Sequence, residues 1–120
     1  MNKALSPKVL LHVEGLVVLI VAVLLYRELD ASWWMFVLLF LVPDLSMVGY
    51  AVGTALGATT YNAVHTYALP LVLYAAGFAT ERSLWMALAI IWAAHIGFDR
   101  LLGYGLKYET AFRDTHLGRI

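Results

Sequence analysis

The chain has 120 residues, of which 62% are hydrophobic, and its mean hydropathy is +0.80. Soluble domains are about 45–50% apolar, and a soluble chain of this length cannot bury so much apolar surface. Eight basic residues balance eight acidic ones, so there is no electrostatic footprint of nucleic-acid binding. The absence of cysteine excludes disulfides, thiolate metal sites and cysteine nucleophiles. The composition therefore predicts a protein whose partner is the lipid bilayer.

Four apolar segments are close to the length of about 20 residues that a helix needs to cross a bilayer. We predict a single all-α transmembrane domain over residues 1–120, a four-helix bundle with helices at about 8–26, 32–50, 61–78 and 84–102 and an interfacial tail at 103–120. Ser32 is the expected N-cap of the second helix, and Pro43 could break that helix. Because the connections are short, neighbouring helices should be antiparallel.

The basic residues are divided unevenly between the two ends of this predicted bundle. One end carries Lys3, Lys8, Lys107, Arg113 and Arg119, with Arg100 nearby, and the other carries Arg27 and Arg82. The positive-inside rule therefore predicts that both termini lie in the cytoplasm.

Small residues repeat with a spacing of four in the middle of the chain, at Gly49, Gly53 and Gly57. This spacing lets helices approach closely in a membrane. It indicates either helix packing within one chain or an interface of a homo-oligomer.

Ionisable side chains interrupt the apolar segments at His12, Glu14, Asp44, His65, His95 and Asp99. Such groups are costly inside a membrane and usually mark a functional site. When consecutive helices are laid antiparallel, all six fall in the cytoplasmic half of the bundle. We therefore expect the function to reside in that layer.

Four of these residues have the chemistry of a metal site. His95 and Asp99 are four residues apart and share a helix face, while His65 and Asp44 supply a second imidazole and a second carboxylate. This donor set suits a divalent ion, with zinc as the first choice and iron or manganese as alternatives. Glu14 is the candidate catalytic residue, either as a further ligand or as a general base.

Other polar residues near this layer are candidates for substrate binding. Asn62 could orient a ligand, and Arg100 could bind an anionic substrate, pair with a carboxylate or reach to lipid phosphates. Lys107 and His116 lie in the tail, which would either cover the cytoplasmic mouth as a phosphate clamp or serve as an interfacial anchor.

The pattern is compatible with functions of different classes. The leading hypothesis is a membrane metal-dependent hydrolase that acts on a lipid or amphiphilic ester or phosphoester. The alternatives are a proton or ion relay or small transporter element, a haem or quinone carrier with His65 and His95 as axial ligands, and a structural protein with a buried polar network.

Several longer motifs resemble those of a known protein family. They are Pro43-Asp44-Leu45-Ser46, Tyr61-Asn62-x-x-His65-Thr66, Ala94-His95-Ile96-Gly97-Phe98-Asp99-Arg100 and Thr115-His116-Leu117-Gly118. Together they resemble the bacterial membrane family called domain of unknown function 4260, over nearly the whole chain. The resemblance implies a small multi-pass protein of the bacterial inner membrane and supplies no activity.

A second resemblance is to the membrane-bound metal-dependent hydrolase-like proteins, which combine a Pro-Asp motif, a histidine motif and a His-x-x-x-Asp motif. Pro43-Asp44, His65 and His95 with Asp99 match these in order and type. The chain lacks a second aspartate shortly after Asp44 and the longer histidine motif around His65, so fewer ligands are matched.

Overall fold

The computed structural model describes residues 6–44 and 53–103. Within these ranges the chain forms five α-helices, which are α1 (Pro7–Glu28), α2 (Trp33–Leu39), α3 (Thr54–Val64), α4 (Ala68–Ala79) and α5 (Ser83–Leu102). The described residues contain no β-strand, which confirms the predicted all-α class. Among them, α1 and α5 are long and apolar enough to cross a membrane.

The start of α1 and the end of α5 lie at residues that favour a helix terminus. Pro7 occupies the first turn of α1, where a missing N–H costs nothing, and the side chain of Ser6 caps that turn. Gly103 ends α5 in the left-handed conformation, with φ of 94°. The predicted ranges 8–26 and 84–102 agree with these helices to within two residues.

The two long helices are antiparallel and cross backbone to backbone at Gly15 and Gly97. A Cβ placed on Gly97 would lie 2.8 Å from the carbonyl oxygen of Gly15, and one on Gly15 would lie 2.6 Å from the carbonyl oxygen of Gly97. Since neither backbone has room for a side chain there, glycine is required on both helices. The crossing places the start of α1 beside the end of α5.

Much of the apolar surface of the helices is exposed. Only 17% of the apolar 18-residue stretch of α1 is buried, against 56% of the corresponding stretch of α5. Large side chains such as Val17, Leu38 and Phe78 are more than half exposed. Exposed apolar patches of this extent are rare on soluble monomers.

The predicted helix 61–78 is wrong as a single element, because the structure divides it into α3 and α4. The helical hydrogen bonding stops at His65, and α4 begins at Ala68. Pro70 explains the new start: it has no N–H to bond the carbonyl four residues earlier, and only the first turn of a helix tolerates this. Each half is too short to span a bilayer alone.

The predicted helix 32–50 is also shorter in its described part. α2 ends at Leu39, a single 3₁₀ turn follows at residues 42–44, and the remainder lies outside the described residues. Ser32 occupies the N-cap position but makes no side-chain capping bond; its carbonyl instead accepts a hydrogen bond from the hydroxyl of Tyr26. Pro43 lies in the 3₁₀ turn, as the predicted break at that position requires.

Candidate metal centre

Four side chains from three separate parts of the fold converge on one point. Asp44 comes from the 3₁₀ turn after α2, His65 from the break between α3 and α4, and His95 and Asp99 from successive turns of α5. One donor atom from each residue lies within 4.8 Å of the donors of the other three. These are the four ligands that the sequence predicts.

The donor atoms are spaced as ligands of a single ion. The Nε2 atoms of His65 and His95 are 3.1 Å apart. Oδ1 of Asp44 lies 3.2 Å from the first imidazole nitrogen and 3.1 Å from the second, and the corresponding distances for Oδ2 of Asp99 are 3.4 and 3.2 Å. A tetrahedron with metal–ligand distances of 2.0–2.1 Å has edges of roughly 3.3–3.4 Å. The five distances are close to this edge length, and the two carboxylate donors lie within 4.8 Å of each other.

The protonation of His65 is fixed by its second ring nitrogen. Nδ1 lies 2.9 Å from the carbonyl oxygen of Tyr61, and because a carbonyl can only accept, Nδ1 must carry the proton. In the neutral imidazole, Nε2 then presents a lone pair to the cluster. The Tyr61 ring stacks on the imidazole with centroids 3.7 Å apart, which holds the ring in this orientation. Metal-binding histidines are commonly oriented in this way.

The cluster brings together more acceptors than protons. Nε2 of neutral His65 and the oxygens of Asp44 and Asp99 are all acceptors, and His95 can donate only one proton from its facing nitrogen. Without a cation, further protons on the imidazoles must compensate the two carboxylates. One divalent ion at the centre would satisfy all four donors at once.

The cluster is enclosed except on one side. The side chains of His65 and His95 are each 1% exposed and that of Asp99 is 11% exposed, whereas Asp44 is 32% exposed. Phe40 packs edge-on against the imidazole of His95 with centroids 5.5 Å apart. Access to the centre is therefore from the side of Asp44.

Two side chains of α5 satisfy the interrupted end of α3. Nε1 of Trp92 donates to the carbonyl of Val64 at 2.5 Å, and the guanidinium of Arg100 donates to the carbonyl of His65 at 3.0 Å. Helix ends leave such carbonyls without intrahelical partners, and leaving them unsatisfied in a buried position is costly. These bonds stabilise the break that carries His65.

The remaining predicted site residues lie outside the four-donor cluster. Glu14 is exposed on α1, close enough to Tyr67 for its charge to act on that hydroxyl, and Nδ1 of His12 bonds to the carbonyl of Lys8 at 2.6 Å. His12 also faces Gly103 at the end of α5, so both residues lie at the same end as the cluster, as predicted.

Arg100 is buried on α5, where it supports the His65 carbonyl, and its predicted contact with an anionic substrate stays a prediction. Asn62 is half-buried on α3, three residues before His65, and its role as a ligand-orienting residue also stays a prediction. Lys107 and His116 lie outside the described residues.

The predicted glycine stripe is described only in part. Gly49 lies outside the described residues, Gly53 has open space where a Cβ would be, and Gly57 is buried in α3. The oligomer interface therefore stays a prediction. Close approach of α1 and α5 occurs instead at Gly15 and Gly97, which were not predicted from the sequence because they lie on helices far apart in the chain.

The comparisons with known proteins identify the family. The family model described as "Domain of unknown function (DUF4260)" matches residues 8–120. The chain belongs to this family. No curated protein and no solved structure matches the chain, and the comparisons give no support to the second resemblance, to hydrolase-like proteins. The matched residues include all four metal-ligand candidates.

Proposed function

We propose that this protein is an integral membrane metalloprotein that holds one divalent ion between Asp44, His65, His95 and Asp99. The observation that carries the proposal is the spacing of 3.1–3.4 Å between the two imidazoles and between each imidazole and each carboxylate. Zinc is the preferred ion because two imidazoles and two carboxylates are donors that it commonly takes, and iron or manganese are the alternatives.

The membrane location is supported by two independent features. Most of the apolar side chains of α1 are exposed in the structure, which suits a lipid-facing helix. At the break between α3 and α4, side chains of α5 bond the carbonyls of Val64 and His65, and interrupted helices are tolerated at membrane depth where protein satisfies such groups. With the positive-inside rule, we propose a multi-pass protein of the bacterial inner membrane with cytoplasmic termini.

The activity we propose is metal-dependent hydrolysis of an ester or phosphoester of a lipid or other amphiphile. A bound divalent ion would supply a water of lowered pKa and polarise a carbonyl or phosphoryl oxygen. The partly exposed Asp44 marks the side from which a substrate would approach. Glu14 is the proposed general base, and its position at the same end of the molecule makes it the first residue to replace.

A proton or ion relay is the second candidate, because the four side chains form one connected chain of Asp and His groups. A haem fits the geometry less well. Axial imidazoles lie on opposite faces of a macrocycle, whereas here both Nε2 atoms face the same point beside two carboxylates.

The metal content of the purified protein tests the proposal. The protein is prepared in detergent without a His-tag or a chelating column and analysed by ICP-MS and absorption spectroscopy. We expect about one zinc, iron or manganese per chain, lost in His95→Ala and retained in His12→Ala, whose imidazole is outside the cluster. The proposal is contradicted if the folded wild-type protein contains no metal and His95→Ala has the same metal content.

Two assays then separate the activities. Loss of ester or phosphoester hydrolysis in both His95→Ala and Glu14→Gln supports the hydrolase. Metal-dependent proton flux in liposomes, without hydrolysis of either substrate class, supports the relay.

A further inference from the structure

An apolar groove of about 560 Å³ lies beside the metal centre. It is lined by side chains from α2 and its following turn, from α3, from α4 and from α5, namely Leu39, Val42, Pro43, Val64, Leu73, Leu88, Ile91 and Trp92. Among the lining residues that the structure describes, Trp92 alone has a side-chain hydrogen-bonding group, and its indole N–H is bound to the carbonyl of Val64. The groove volume is typical of small-molecule sites, and the lining offers a ligand apolar contact.

The groove and the metal centre share their walls. Pro43 and Val64 line the groove and directly precede the ligands Asp44 and His65, and adjacent Cα atoms are about 3.8 Å apart. The most exposed ligand, Asp44, lies on the same 3₁₀ turn as the groove wall. The groove therefore reaches the turn that carries Asp44 and the helix end that carries His65.

The groove extends away from the centre along α5. Leu88 lies seven residues before His95, which corresponds to about 10 Å of helix. A ligand in the groove thus has apolar contacts along its length and, at one end, a metal ion that could accept a further oxygen ligand. An acyl chain that ends in an anionic or ester headgroup has the complementary polarity.

We infer that this groove binds a single acyl chain of an amphiphile whose polar headgroup reaches the metal ion at the side of Asp44. This inference rests on the proposed metal site and specifies the class of its substrate. The second groove, which is lined by α1, α4 and α5 and includes Leu71, provides a matched control because it is also apolar but contains none of the residues adjacent to Asp44 or His65.

The test compares a short and a long ligand with the same headgroup on the cobalt-loaded protein in detergent. Acetohydroxamate and octanohydroxamate are titrated while the visible cobalt spectrum reports coordination. Leu88→Trp fills the groove from α5, and Leu73→Trp fills it from α4 as a second variant. Leu71→Trp adds the same bulk in the second groove. Cobalt stoichiometry shows that each variant is folded at the centre.

We expect Leu71→Trp to bind each of the two hydroxamates with the same affinity as the wild type. Leu88→Trp and Leu73→Trp should keep their affinity for acetohydroxamate and lose about tenfold or more for octanohydroxamate, because the chain and the indole compete for one space. The comparison of variants cancels partition of the probe into detergent.

Three results overturn the inference. Equal octanohydroxamate affinity in all four proteins shows that the groove holds only bilayer chains unconnected with the centre. A cobalt spectrum unaffected by either hydroxamate shows a centre closed to headgroups, while metal binding itself stands. Failure of wild type to bind cobalt, zinc, iron or manganese removes the metal site, and the proposed function falls with it.

Discussion

The imidazole nitrogens of His65 and His95 lie 3.1 Å apart although the two residues are 30 positions apart in the chain. One stands at the break between α3 and α4, and the other stands on α5. With Asp44 on the turn after α2, an ion bound here connects three parts of the fold. The proposed metal would therefore contribute to stability as well as to chemistry.

Metal removal should lower the stability of the folded protein. A ligand that binds only the folded state stabilises it by about 4 kcal/mol when its free concentration is about 1,000 times Kd. Thermal unfolding in detergent, followed by tryptophan fluorescence, should shift to lower temperature on addition of EDTA. His65→Ala should already unfold at the lower temperature and show no response to EDTA. An equal response of both proteins contradicts a stabilising site at His65.

Arg100→Lys should weaken metal binding without abolishing it. The guanidinium holds the carbonyl of His65, and a lysine ammonium lacks its planar set of donors. Loss of an outer contact to a metal-binding residue commonly reduces affinity by 10–100-fold, so we expect about tenfold at a backbone contact. Cobalt titration measures the change. Arg27→Lys, with a side chain 68% exposed, is the control and should bind as wild type.

Gly97→Ala should destabilise the protein through the crossing of α1 and α5. The added methyl would lie 2.8 Å from the carbonyl oxygen of Gly15 and 3.0 Å from the backbone nitrogen of Leu19, and neither backbone atom can move alone. Overpacking of this kind costs about 1–3 kcal/mol. Gly53→Ala places its methyl in open space and should leave unfolding unchanged or slightly favoured. Similar unfolding of the two variants in a denaturant titration would show that the crossing tolerates a side chain.

Trp92→Phe should weaken the attachment of α3 to α5. Phenylalanine keeps the aromatic contact but leaves the carbonyl of Val64 without its donor, at a cost of about 1–3 kcal/mol. Trp85→Phe replaces a 36% exposed tryptophan of the same helix and is the control. We expect lower unfolding temperature and weaker cobalt binding in Trp92→Phe alone. Unchanged values in Trp92→Phe mean that water satisfies the carbonyl.

The two long helices could be predicted to within two residues because each signal is local. Both segments are continuously apolar, Pro7 stands in the first turn of α1, and Gly103 follows the last turn of α5. The break at His65 could not be recognised from hydropathy, since apolar residues lie on both sides. Pro70 was the available local signal, and its effect depends on which residues precede it in the helix.

The sequence by itself determined the all-α class, the excess apolar surface and the four candidate ligands, because these follow from composition and from short spacings such as that of His95 and Asp99. Only the tertiary structure decided which polar residues meet. His65 meets His95 and Asp99 because α3 ends at that point and its end is bonded by α5, whereas Glu14 stays outside the cluster on α1. Contacts between distant segments depend on helix packing, and short-range sequence patterns do not specify that packing.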